Sequence, residues 1–214
     1  MAFKVFIAES NDPDDFYAGR LDGFAANEVL KVGEIESRYR VILNREMLKR
    51  AIEEANAWDA TVFHLCCHGD SEGVELACGQ SISWDEIAKE FQSFATGERT
   101  LINSICYGGD REVAKAFKKT QNKFGYICGP KETVHFPDSC IAWSILYNIL
   151  SDKKLDNDKN AERSAFRESI KKINKVIKGK FVYLRWDDTE KKYMQFTGRT
   201  VPKKTKMNKR KILK

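Results

Sequence analysis

Two short stretches of this chain end in residues that could do covalent chemistry. The first reads VFHLCCHG from Val62 to Gly69, and the second reads TLINSICYGG from Thr100 to Gly109. Each is an apolar run with β-branched or aromatic residues that closes on polar residues and glycine, the pattern of a buried strand leaving a parallel sheet. One delivers His68 and the other Cys106. In an open α/β sheet the carboxyl ends of the strands line the ligand crevice. Two neighbouring strands would therefore bring a base and a nucleophile to one edge. A thiolate is the attacking species, and an adjacent base or a helix N-terminus lowers its pKa. The sequence offers both: His68 across the crevice, and a helix expected to start at Asp110. Gly108 and Gly109 let the backbone pass close to a substrate. The Gly69 amide could face a developing oxyanion.

Other chemistry-bearing residues lie nearby. His64, Cys66 and His68 alternate and share one strand face, which invites a metal reading. Structural zinc wants four convergent ligands, and the fourth is missing, so neither metal nor cofactor is expected. His64 and Cys66 are expected to pack against a helix. Glu9 and Asp70 end the first and third strands and are candidates to bind a basic side chain of a substrate. Asp138 is a third such candidate, with the plainer reading of an N-cap for an apolar helix beginning at Ser139.

Regular elements must position these residues. Strands are expected at Lys4–Ala8, Tyr39–Leu43, the two stretches above, Gly125–Cys128, and a closing pair at Phe181–Trp186 and Tyr193–Phe196. Glu9–Asp15 reads as a turn-forming loop. Helices are expected at Phe24–Val32 and after Asn44, where Met47, Leu48, Ala51, Ile52 and Ala55 make one apolar face. Ser83 to Glu86 is a capping box for another. Further helices are expected at Arg111–Lys119, Ser139–Leu150 and Ala161–Lys178, with a charged linker over 152–160. Gly73–Ala77 and Gln80–Ile82 form a small hairpin. Strands alternating with helices imply a three-layer α/β/α domain with a mostly parallel central sheet.

Composition narrows the partners. The chain has 214 residues and is 42% hydrophobic, enough for one full core. No stretch approaches a membrane span of ~20 apolar residues. Six cysteines without paired spacing, and no signal-peptide layout, imply a reducing cytoplasm and no membrane association. The formal charge is +6, yet residues 203–214 alone carry seven Lys/Arg and no acid. The rest is nearly neutral, which argues against a basic groove across the domain. Residues 201–214 are expected to be a disordered tail, with a weak nucleic-acid or acidic-partner contact as its functional reading.

The His-Gly segment "VFHLCCHGD" followed by the Cys-x-Gly segment "LINSICYGG" resembles the caspase-like cysteine peptidases, among them the bacterial CHAT-type domains. "FIAESNDPDD", "EGVELACGQSISWDEIA" and "GPKETVHFPDSCIAWSILYNIL" extend the resemblance over residues 4–150. It implies a caspase-like fold over 1–200, His68 as general base, Cys106 as nucleophile, and the Gly69 and Cys106 amides as oxyanion hole. It further implies a cysteine endopeptidase that hydrolyses a protein substrate through a Cys-His dyad, as an effector switched on by a partner protein. The chain departs from the caspase Gln-Ala-Cys-x-Gly pattern, with Ser104-Ile105 before Cys106. Two alternatives stand beside it: an inactive caspase-like interaction module, and a TIR-like NAD-cleaving or partner-binding domain, which "KVFIAESNDPDDF" also resembles.

Overall fold

The computed structural model describes residues 3–152, 159–178 and 180–198. The basic tail 201–214 and most of the linker expected over 152–160 lie outside the described residues. The strands are β1 (Lys4–Ser10), β2 (Glu36–Val41), β3 (Val62–Gly69), β4 (Gly73–Glu75), β5 (Ser81–Ser83), β6 (Thr100–Ser104), β7 (Tyr126–Pro130), β8 (Phe181–Asp187) and β9 (Lys192–Phe196). The helices are α1 (Pro13–Tyr17), α2 (Asp22–Val32), α3 (Arg45–Ala57), α4 (Trp84–Glu90), α5 (Arg111–Lys119), α6 (Phe136–Asp152) and α7 (Lys159–Val176).

The main sheet runs β2-β1-β3-β6-β7-β8-β9, and β4 and β5 form a hairpin on the end of β3. The first four pairings along it are parallel, and β8 and β9 close it with antiparallel pairings. Side chains alternate across a strand, so each buried strand feeds two cores. On β3, Phe63 and Leu65 pack with Phe91, Phe94, Phe117 and Phe124 on the face of α3, α4 and α5. Val62 and Cys66 face the opposite core of Ile7, Trp143, Tyr147, Phe166 and Tyr183, on the side of α2, α6 and α7. A mostly parallel sheet with helices on both faces is the three-layer α/β arrangement expected from the strand–helix alternation.

Local chemistry explains most element starts. The Asn44 side chain accepts the Met47 N–H and opens α3. Ser83 and Glu86 make the reciprocal capping box of α4. Four boundaries differ from expectation. The loop after β1 contains α1, because Asp12 caps it and Pro13 occupies its first turn. Strand β2 sits earlier, at Glu36–Val41, in register with β1 from Lys4↔Glu36. Asp110 precedes α5, but its side chain makes no capping bond. Helix α6 starts at Phe136, so Asp138 lies in its first turn and is not its N-cap.

Candidate active site

Strands β3 and β6 are adjacent and parallel, and their last paired residues are Cys66 and Ser104. His68 and Cys106 each stand two residues beyond that pair. His68 is still on β3, and two residues along a strand return to the same face, so it shares the face of Cys66, toward α2 and α6, whereas Cys106 lies in the turn beyond β6. The histidine and cysteine singled out in the sequence therefore both lie beyond the last β3–β6 pair, at one edge of the sheet. Adjacent strands lie ~4.8 Å apart.

Cys106 is half-exposed in the turn after β6. The turn is tight: the Gly108 N–H donates to the Ile105 carbonyl at 2.9 Å, and Tyr107 takes a left-handed φ of 63°. Asn103, fully buried at the end of β6, donates from Nδ2 to the Gly108 carbonyl at 2.8 Å. Glycine at 109 is required by close approach, since a Cβ there would stand 2.5 Å from the Gly129 carbonyl. The thiol lies against the segment that follows β7. The Val134 N–H donates to Sγ at 3.5 Å, and Sγ faces the Val134 carbonyl at 3.7 Å.

His68 is held by the loop after β1. Its Nε2 is 2.6 Å from Asp15 Oδ2 and 3.5 Å from Asp12 Oδ2, and its ring meets Phe136 edge-on at 6.0 Å. Asp15 is 4% exposed and is also paired with Arg20. Burial pushes the Asp15 carboxyl up, but the hydrogen bonds from Arg20 and His68 outweigh it and hold the group below its ordinary value. An ionised Asp15 accepts a proton-bearing Nε2, which leaves Nδ1 as the basic ring nitrogen. The Gly69 amide also has a direction. Asp70 donates to the Gly73 carbonyl across the β3–β4 ladder. N–H groups alternate along an antiparallel strand, so the Gly69 N–H turns away from β4.

The remaining candidates are placed as follows. His64 lies inside the sheet layer with no exposure, its Nδ1 2.8 Å from the Tyr147 hydroxyl and its ring against Trp143. Burial drives its pKa down to about 3, so it is a neutral core residue. Glu9 is a correction. It is fully buried, and its carboxylate accepts from the Gly23 and Phe24 amides, Tyr39 Oη and Asn11 Nδ2. The Gly23 and Phe24 bonds cap α2, which has no cap from its own preceding side chain, and burial leaves Glu9 no surface on which to meet a substrate. Asp70 is exposed, and its Oδ1 accepts from the Glu72 and Gly73 amides to close the hairpin turn. Asp138 is half-buried on α6 and takes no part in the contacts of His68 or Cys106.

Sequence reasoning missed Asp15, Asp22 and Asn103. Asp12-Pro13 marks the start of α1 and could have pointed to Asp15 two residues on. Asp22 is 3% exposed, accepts from Ser104 Oγ, and is pushed up to about 7 by burial. Ser104 in turn accepts from Trp143 Nε1 at 2.6 Å, so a polar chain runs beneath the turn of Cys106. Beside it Asp22, Phe136 and Cys140 line a cavity of about 470 Å³. Two groups have convergent metal-type donors, Glu9–Asp22–Cys66 and Asp12–Asp15–His68. In both, carboxylate oxygens are already committed to protein donors.

No protein-family model and no curated protein matches the chain. Among solved structures it is similar to iotapain, a secreted C11 cysteine protease from Bacteroides thetaiotaomicron, at 11% identity. That likeness covers 63% of this chain and 53% of that one, with a TM-score of 0.45. It is also similar to the Arg-specific cysteine proteinase gingipain R, at 11% identity over 79% of this chain and 42% of that one, with a TM-score of 0.49. The chain spans about half the length of these structures. At this identity neither assigns a residue or a substrate. All six cysteines are free, and no helix among the described residues is long and apolar enough to cross a membrane.

Proposed function

We propose that the chain is a cysteine endopeptidase of the caspase-like kind, acting on a protein substrate. One observation carries this reading: His68 and Cys106 both lie just past the last pair of adjacent parallel strands and both meet the segment leading into α6, at Phe136 and Val134, with His68 Nε2 bonded to a buried carboxylate. In this reading Nδ1 of His68 takes the thiol proton, and the Cys106 sulfur attacks the scissile carbonyl carbon. The Gly69 and Cys106 amides face the oxyanion. As the tetrahedral intermediate collapses, the peptide C–N bond breaks and His68 returns the proton to the leaving amine. Water then cleaves the thioester with His68 as base. Asp15 keeps Nε2 protonated and the ring in place.

The Val134 backbone against the thiol motivates the finer part of the reading. A substrate strand must displace or realign that segment, and a partner protein that moves it would switch the effector on. The test is labelling with an electrophilic peptide probe and mass mapping of the modified site. Modification at Cys106, absent in Cys106→Ala, is the expected result, and Cys106→Ala should fold normally because a half-exposed thiol contributes little packing. An unlabelled Cys106 under all partner conditions would favour the inactive interaction module.

A further inference from the structure

The cavity at the start of α6 sets apolar walls around one buried acid. Leu21, Ala25, Phe136 and Pro137 line it, with Asp22 and Cys140. It adjoins the candidate site twice over. Phe136 meets the His68 ring edge-on, and Asp22 is bonded by Ser104, two residues before Cys106. At about 470 Å³ it falls within the ~300–1,000 Å³ of ordinary ligand pockets.

Asp22 is 3% exposed, and the Ser104 hydroxyl engages its Oδ2. Among the described residues no ion pair reaches it. The ionisable groups that act on its carboxyl are Glu9 of β1, Tyr39 of β2, Cys66 and Cys67 of β3 and Cys140 of α6, and none is a cation. Arg20 also borders the cavity, but its guanidinium is paired with Asp15. His135, the other basic side chain of the lining, is exposed. A buried acid with no cation costs the fold whenever it ionises. Where such an acid lines a cavity beside a nucleophile, the cost marks a functional site. A long basic side chain suits this lining at both ends. Its aliphatic stem lies along apolar walls, and its charged head meets the carboxyl in a charge-assisted hydrogen bond. An apolar side chain would leave the carboxyl against hydrocarbon, and an acidic one would add a second negative charge.

We infer that this cavity binds the side chain of a lysine or arginine, with Asp22 as its counter-ion. On binding, the carboxylic acid becomes a carboxylate, its proton passes to the solvent, and the ion pair forms with no other bond made or broken. In the peptidase reading, on which this further step rests, the bound residue is the one whose carbonyl Cys106 attacks.

Calorimetry with Nα-acetyl-arginine amide tests the binding without any turnover. Its control is the citrulline amide, of nearly the same shape but uncharged. A carboxyl with a pKa of about 7 is about nine-tenths protonated at pH 6, so binding there should release most of one proton. Titrations in two buffers of different ionisation enthalpy read that release. The citrulline amide should bind about 10- to 100-fold more weakly. Asp22→Asn should weaken the arginine amide by a similar factor and abolish the proton release. Electrophilic peptide probes then carry arginine or citrulline at the residue bearing the electrophile, and the arginine probe should label Cys106 faster by a similar factor. Arginine amide that binds without releasing a proton, or binds equally well in Asp22→Asn, would overturn the inference. So would equal labelling by the two probes. If the amide binds as expected and neither probe labels Cys106, the peptidase reading fails and the preference of the cavity stands.

Discussion

In the proposed mechanism, whether His68 works as a base depends on which of its nitrogens carries the proton, and Asp15 Oδ2 lies 2.6 Å from Nε2. Asp15→Asn keeps the shape of the pair but can offer an N–H to Nε2, which would hold the ring in the wrong tautomer. It should lower kcat on the order of 10²-fold or more with KM nearly unchanged. Because the Asp15 carboxyl lies below its ordinary value, parent activity should lose this support only as pH falls through the acid range. The two histidines of β3 should separate cleanly. His68→Ala should lower turnover by ~10²–10⁴ with little change in stability. His64→Ala should act through stability, since it strands the Tyr147 hydroxyl and opens a void beside Trp143. Peptide turnover and urea midpoints on the two variants distinguish these outcomes. His68 and Cys106 could be singled out as candidates because each ends a local strand-like pattern in the sequence. Asp15 was not, since the 53 residues between it and His68 are brought together only by the pairing of β1 with β3.

At the scale of elements, α2 depends on a side chain from another element. Glu9 at the end of β1 satisfies the Gly23 and Phe24 amides that the sequence before α2 leaves uncapped. A negative carboxylate there also faces the positive end of the helix. Burial nevertheless raises the Glu9 pKa, outweighing the bonds from Tyr39, Gly23, Phe24 and Asn11. Glu9→Ala leaves several buried donors without an acceptor, at about 1–3 kcal/mol for each group left unsatisfied. It should lower the urea midpoint clearly and speed amide exchange at the start of α2. Loss of activity without loss of stability would instead return Glu9 to the substrate-binding set. In sequence Glu9 read as a loop acid open to substrate, because nothing local shows that α2 folds its N-terminus back onto β1.

For the whole molecule, the buried carboxyl of Asp22 links stability to pH. Its folded pKa is raised to about 7, above the ordinary value of 3.8, mainly by burial, with Glu9 adding repulsion and Ser104 opposing. Between those pH values the folded state holds a proton that the unfolded chain has released. This group therefore makes stability fall as pH rises from about 4 to about 7, and its cost is constant above that. Asp22→Asn keeps an acceptor for Ser104 and removes the charge. Relative to the parent it should be more stable at pH 8, by on the order of 4 kcal/mol at most, and nearly equal at pH 4. Urea unfolding of the two proteins at both pH values measures the difference directly.

The sequence by itself determined what short-range chemistry controls. Strand and helix alternation, the Asn44 cap and the Ser83–Glu86 capping box are read from neighbours a few residues apart. So is the pattern of two buried strands followed by His68 and Cys106. Only the tertiary structure decided which distant groups meet. It buried Glu9 as the cap of α2, set Asp15 and Arg20 behind His68, and hid Asp22 beneath the turn of Cys106. It also laid the Val134 backbone on the thiol. These contacts depend on strand order and register, and a chain read in one dimension carries no local signal for either.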